Sequence, residues 1–199
     1  ALTIYTQSGI EQGNILQSEL VVEAGKKDLG NIALPAKANY QWSIGVADRT
    51  AAEYQFADKP RNYEWQTKVP ESLDFKIGIN KNSDWFYAQT KFGDWNIHFD
   101  EKDIKSSRRL NLAFASASNS GMTKPSAPRM IVLVNGKQVS DINYPNDKTI
   151  YRGALTNGLY HNESIEVPAE LLKAGANVIT LRNQGGAFMY DSINWEIVK

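Results

Sequence analysis

Apolar and polar residues alternate with a period of two along most of this chain, the mark of strands with one buried face. The alternation and the aromatic content predict strands at 75–79, 85–90, 95–99, 110–117, 130–134, 149–151, 163–167, 177–182 and 189–198. Before them, Leu2, Ile4, Leu20 and Val22 alternate with polar neighbours, so residues 1–37 read as two or three further strands. Gly25 and Gly30 punctuate that segment and Pro35 closes it. Asn135-Gly136 between two apolar runs predicts a two-residue hairpin. One short helix is expected at 168–173, with Pro168 in its first turn and Gly175 ending it. Many short strands with turn punctuation and one helix predict an all-β jelly-roll β-sandwich.

One stretch breaks the pattern. Residues 42–50 start like a strand and become a polar loop, and 45–73 is a long irregular segment of the kind that is functional or links domains. Its neighbourhood holds Trp42, Tyr54, Phe56, Tyr63 and Trp65, which need something to pack against. The expectation is that this loop buttresses another domain. The boundaries read as 1–37 for the leading strands and 38–199 for the sandwich.

Composition narrows the partners. The 199 residues carry 22 basic and 22 acidic side chains, so no positive field favours a phosphate backbone, and nucleic acid is not expected as a partner. With no cysteine, disulfides, thiolate metal sites and a thiol nucleophile are excluded. No apolar run approaches the ~20 residues of a membrane helix. The opening Ala1-Leu2-Thr3-Ile4-Tyr5 reads as strand without a charged leader, hence as a mature or truncated chain.

Three stretches bring a family into view. Gly25-Lys26-Lys27-Asp28-Leu29-Gly30 precedes Trp42-Ser43-Ile44-Gly45-Val46-Ala47-Asp48-Arg49-Thr50-Ala51-Ala52-Glu53-Tyr54. Asp84-Trp85-Phe86-Tyr87-Ala88-Gln89 precedes Trp95-Asn96-Ile97-His98-Phe99 and the run Leu110 to Ala117. Gly158-Leu159-Tyr160, Val167-Pro168, the run Leu171 to Leu181 and Met189-Tyr190-Asp191-Ser192-Ile193 follow. In this order the chain resembles the rear portion of polysaccharide lyase family 4, the rhamnogalacturonan lyases. The resemblance implies that 1–37 is the end of a fibronectin-III-like domain and that 38–199 is a carbohydrate-binding-module-like, galactose-binding-like jelly roll. The family's catalytic sandwich, with its lysine and histidine pair, has no counterpart here. The implied function is a non-catalytic, secreted or cell-surface accessory region. Its expected partners are pectic rhamnogalacturonan I or an N-terminal catalytic domain. The alternatives are a segment of an active lyase working by β-elimination, and a structural sandwich without sugar affinity.

Candidate chemistry follows from residue types. Sugar binding needs ring faces for C–H surfaces and polar groups for hydroxyls and uronates. Trp85, Tyr87 and Trp95, flanked by Asp84, Gln89 and Lys91, offer rings, although a shared inward face would make them core. Arg49, Arg61, Arg129, Tyr144, Arg152, Tyr160 and His161 are the loop candidates for an anionic glycan. Trp195 shares a face with Ile193 and Ile197 and reads as core. His98 reads as a surface strand histidine. His98 and His161 are the only histidines available as a base. The groups Asp100, Glu101, Asp103 and Glu163, Glu166 are the only candidate carboxylate pairs. No cofactor is required. The resemblance implies a structural calcium ion at Asp191, set against a hydrogen-bonded aspartate at a strand end.

Overall fold

The computed structural model describes residues 2–5, 15–20, 39–48, 50–57, 67–119, 126–146 and 159–198, the first two stretches as backbone. Twelve strands are among them: β1 (Leu2–Tyr5), β2 (Ile15–Leu20), β3 (Tyr40–Gly45), β4 (Leu73–Lys76), β5 (Ala88–Gln89) and β6 (Gly93–Glu101) come first. Then come β7 (Arg108–Ser118), β8 (Arg129–Val134), β9 (Lys137–Asn143), β10 (His161–Val167), β11 (Gly175–Gly185) and β12 (Ala187–Ile197). β1 and β2 pair antiparallel in a sheet of their own. The rest form two five-stranded sheets, one ordered β10-β7-β12-β3 with β5 also on β12, the other β4-β6-β11-β8-β9. Only the β4–β6 pairing in these two sheets is parallel. This is the expected all-β jelly-roll sandwich.

Each long strand sends alternate apolar side chains inward, and the rings among them make the centre of the core. Trp85 meets Trp95 edge-on at 5.0 Å and Tyr190 edge-on at 5.2 Å, while Trp95 and Tyr190 stack at 5.7 Å. A ring as large as indole fills the roughly 10 Å gap between packed sheets. Polar stitches accompany the rings. The Tyr190 hydroxyl donates to Gln89 Oε1 at 2.8 Å, and Gln89 Nε2 donates to the carbonyls of Gly93 and Leu181 in the facing sheet. Buried Asn183 donates in turn to the carbonyls of Gln89, Lys91 and Gly186.

One end of the sandwich is closed by a buried ion pair. Arg108 Nε lies 3.1 Å from Glu101 Oε2, with both side chains essentially without solvent contact. Such a pair is tolerable only when every remaining polar atom is matched. Here Glu101 also accepts from Gln41 Nε2 and Trp195 Nε1, and Arg108 also donates to Gln41 Oε1 and to the Asp103 and Ser106 carbonyls.

The structure departs from the sequence reading in three places. The 168–173 helix is a single 3-10 turn, Ala169–Leu171, because Leu172 is already extended and Gly175 opens β11. The strand expected at 85–90 shrinks to β5, since Asn82–Asp84 forms a 3-10 turn and Phe86 makes only an isolated bridge to Gln55. β9 was implied by the Asn135-Gly136 hairpin but not recognised as a strand; both turn residues have positive φ, 50° and 81°, as a two-residue hairpin requires. Of the aromatics in and beside the irregular segment, Tyr54 is buried, Phe56 packs on Phe86, and Trp42 packs on Phe99 and Trp195. Tyr63, Trp65 and the strand expected at 149–151 lie outside the described residues.

Burial raises the Glu101 carboxyl, but the hydrogen bonds from Arg108, Gln41 and Trp195 outweigh it and hold the group below the usual range. A carboxylate depressed in the folded state stabilises above its unfolded value, and that contribution is lost as pH falls through the lower folded value. Glu101→Gln leaves Arg108 buried without its counter-charge and is expected to lower stability by about 3–5 kcal/mol in urea denaturation at pH 7. The deficit should shrink as pH falls below ~4, where the unfolded chain takes up a proton ahead of the folded pair.

Candidate functional site

Two irregularities in strand pairing shape the outer face of the β10-β7-β12-β3 sheet. On β12, Met189 pairs with Ser116, Tyr190 with Phe114 and Ser192 with Ala113. Ala115 on β7 and Asp191 on β12 are therefore surplus residues, that is, β-bulges, which re-aim side chains. Because of the surplus, Tyr190 and Ile193 both face the core, while Asp191, Ser192 and Asn194 face outward. On β3, Trp42 pairs with Trp195 but Tyr40 pairs with Glu196, so Gln41 is surplus. Gln41 turns toward the Glu101–Arg108 pair and Tyr40 falls on the outer face.

The outer face holds a groove of about 290 Å³. β7 contributes Asn111 and Ala113 to it, β10 contributes Asn162 and Ser164, and β12 contributes Ser192 and Asn194. Tyr40 and Tyr160 also line it. Its floor is preorganised: Asn111 donates to Glu196 at 3.0 Å, Ser164 donates to Asn111 at 3.1 Å, and Asn194 donates to Ser192 at 3.3 Å. Among the described residues no Lys, Arg or His lines it.

Asp191 pins the walls. Its Oδ1 accepts the backbone N–H of Asp48 at 3.2 Å and of Thr50 at 3.1 Å, and its Oδ2 accepts the Tyr160 hydroxyl. Asp48 Oδ1 accepts from the Thr50 N–H and hydroxyl, which shapes the loop as it arrives. The buried Tyr54 hydroxyl donates to the Asp191 carbonyl at 2.8 Å. Gly45 is needed for this approach: its φ is +83°, and a Cβ would lie 1.8 Å from the Tyr54 hydroxyl and 2.4 Å from the Asp191 carbonyl. Burial pushes the Asp191 carboxyl up to about 7, with Asp48 and Glu53 adding to the rise against the hydrogen bonds from Tyr160 and the Asp48 backbone.

The sequence-derived candidates separate widely. Trp85 and Trp95 are wholly buried with their faces covered by other core rings, and Tyr87 is nearly buried, which corrects the assignment of all three as ligand-binding residues. Arg129 sits on the other sheet, its guanidinium bidentate on Asp141 at 3.0 and 2.8 Å. His161 stacks on Tyr144 at 3.8 Å, and Tyr144 donates to Glu163. His98 lies on the outside of the other sheet, 2.8 Å from Asp74. Of the described ligand-binding candidates, Tyr160 alone lines the groove. Arg49, Arg61 and Arg152 lie outside the described residues.

Neither carboxylate grouping makes a catalytic pair. Glu163 and Glu166 are three apart on one strand and so face opposite ways, as do Asp100 and buried Glu101. Asp103 Oδ1 accepts the backbone N–H of Lys105. Asp191 does not fit the calcium site, because N–H and O–H donors surround its oxygens where carbonyl and carboxylate oxygens would be needed. Among the described residues no three acidic or histidine groups cluster for a metal. The groove's own residues Tyr40, Asn111, Asn162, Ser164, Ser192 and Asn194 escaped the sequence reading.

Comparison with known proteins agrees with the architecture. The family model for "CBM-like: Polysaccharide lyase family 4, domain III" matches residues 40–195. The chain is 45% identical over 194 residues to a rhamnogalacturonate lyase of Dickeya dadantii, covering 96% of this chain and 34% of that protein. It is 24% identical to a probable rhamnogalacturonate lyase B of Neosartorya fischeri, covering 90% of this chain and again 34% of that protein. Thus the chain spans about a third of the length of these relatives. Among solved structures, a family GH115 4-O-methyl-α-glucuronidase aligns over 87% of this chain and 20% of its own, at 12% identity and a TM-score of 0.49.

Two outcomes test the Asp191 clamp. Gly45→Ala should lower stability by more than about 2 kcal/mol, since left-handed backbone and overpacking each cost on that order. The second concerns pH. A carboxyl at ~4 when unfolded and at about 7 when folded binds a proton in the folded state that the unfolded chain has released. Stability from this group is therefore full below pH ~4 and declines as pH rises to about 7. Asp191→Asn mimics the protonated form, so its thermal midpoint should lack that decline; an identical pH profile for both proteins would refute the clamp's titration.

Proposed function

This chain belongs to the CBM-like domain III family of polysaccharide lyase family 4, and from that membership we propose that it is the carbohydrate-binding accessory region of a longer rhamnogalacturonan-degrading protein. The observation that carries the reading is the outer-sheet groove. It is lined by amide and hydroxyl side chains and flanked by two tyrosine rings. Amides and hydroxyls match sugar hydroxyls as donors and acceptors, and tyrosine rings cover C–H faces while keeping a polar tip. The two curated relatives described above are lyases roughly three times the length of the match, which supports a role beside a catalytic domain rather than in place of one. In this reading the β-elimination step belongs to that other part of the protein, and the polymer it cleaves is the one held here. A secreted or cell-surface location goes with a pectic substrate.

β-Elimination needs a base at the proton α to the uronate carboxyl and a cation for the developing enolate. His98 is bonded to Asp74 on an exposed strand face, and His161 is stacked under Tyr144; neither stands in the groove lining. Affinity electrophoresis of the 199-residue chain should show retardation in gels containing rhamnogalacturonan. The same preparation should produce no ultraviolet absorbance from unsaturated uronate. Unretarded migration would sink the binding role, and turnover by the pure chain would sink its accessory character.

A further inference from the structure

Resting on that reading and deepening it, we infer that the outer-sheet groove takes uncharged sugar units through their hydroxyls and does not read the uronate carboxylate. The charge distribution argues this first. Among the described residues no cation lines the groove; Glu163 lines it with its carboxylate turned to the inner face, onto the Tyr144 hydroxyl, and the Glu196 carboxylate lies just beyond the groove, bonded to Asn111. Arg109, next to Asn111 on β7, is held by Glu196 at 3.6 Å. A carboxylate entering here would leave water for amides, hydroxyls and the like charge of Glu196. Carboxylate recognition ordinarily rests on a guanidinium fork. A desolvated anion without a cationic partner is strongly disfavoured.

The lining argues it second. Asn111, Asn194, Ser164 and Ser192 already bond to one another or to Glu196, which fixes their remaining donors and acceptors in place. Fixed amides and hydroxyls read the pattern of hydroxyl groups on a ring, where each matched bond tightens binding about fivefold. At about 290 Å³ the groove is at the small end of ligand sites, suited to a short stretch of sugar units. Tyr40, partly exposed at its rim, supplies the ring face.

The test uses a rhamnogalacturonan oligosaccharide and the same oligosaccharide after chemical reduction of its carboxyl groups to primary alcohols. Calorimetric titration of the chain should give dissociation constants for the two within about threefold of each other. Tyr40→Ala, and Ser164→Trp at an exposed position of the lining, should each weaken both by about tenfold, the equivalent of 1.4 kcal/mol. Thermal melts matching the wild type establish that both variants fold. Lys173→Ala, remote from the groove lining, serves as a control for surface change. Binding lost on carboxyl reduction would overturn this inference and leave the carbohydrate-binding role standing. Binding unchanged in both groove variants would overturn the location. Failure of both oligosaccharides to bind would overturn the proposed function itself.

Discussion

A surplus residue at Asp191 makes the outer face of this sandwich what it is. β12 begins with Phe188 and Tyr190 inward, and strict alternation would then turn Ser192 and Asn194 into the core and Ile193 and Trp195 out to water. The bulge, matched by Ala115 on β7, reverses the later half of the strand. One inserted residue thus keeps Tyr190 against Trp85 and Trp95 while Asn194 and Ser192 reach the groove. It also leaves Asp191 aimed outward, where it collects the 48–50 backbone and Tyr160. Core and groove are set by the same register shift, so a change that removed the bulge would disturb both.

The bulge at Gln41 does comparable work at the sheet's edge strand. Gln41 bridges Glu101 and Arg108 under the end of the sandwich, and Tyr40 is turned over to the groove. A buried ion pair adds little net stability on its own, since desolvation cancels most of the attraction. Its worth here lies in geometry. It ties the end of β6, the start of β7, β3 and Trp195 of β12 to one another through directional bonds. Apolar packing alone would allow β3 to slip, and with it the ring at the groove's rim.

The strand pattern was open to sequence reasoning because half-buried strands advertise themselves by period two, and Asn135-Gly136 names its own turn. Trp195 with Ile193 on the core face followed from the same rule. Trp85 and Trp95 misled as ligand rings because an aromatic in a strand looks alike whether it faces inward or outward; only the facing sheet decides. The groove was hidden for a related reason. Tyr40 and Trp42 share a parity in the sequence and opposite faces in the fold, because nothing in the letters marks Gln41 as surplus. Asn111, Asn162 and Asn194 come from three strands and converge only through pairing register. Tyr160 was found because a glycine-led loop before a strand is a natural place for a binding side chain.

The division of aromatic residues has a consequence for recognition. Among the described residues the indoles of Trp85, Trp95 and Trp195 lie in the core, where each removes the most apolar area from water. That leaves the outer face to small amides and hydroxyls with tyrosine at the margins. A platform of exposed indoles would grip a polymer broadly, through area and with little regard to hydroxyl orientation. A groove floored by interlinked Asn and Ser side chains does the opposite: its contacts are individually weak, but a mismatched hydroxyl leaves a partly buried amide unpaired at a cost of about 1–3 kcal/mol. Discrimination then comes from what fails to fit. Under the proposed function, such a surface selects by hydroxyl pattern and not by contact area.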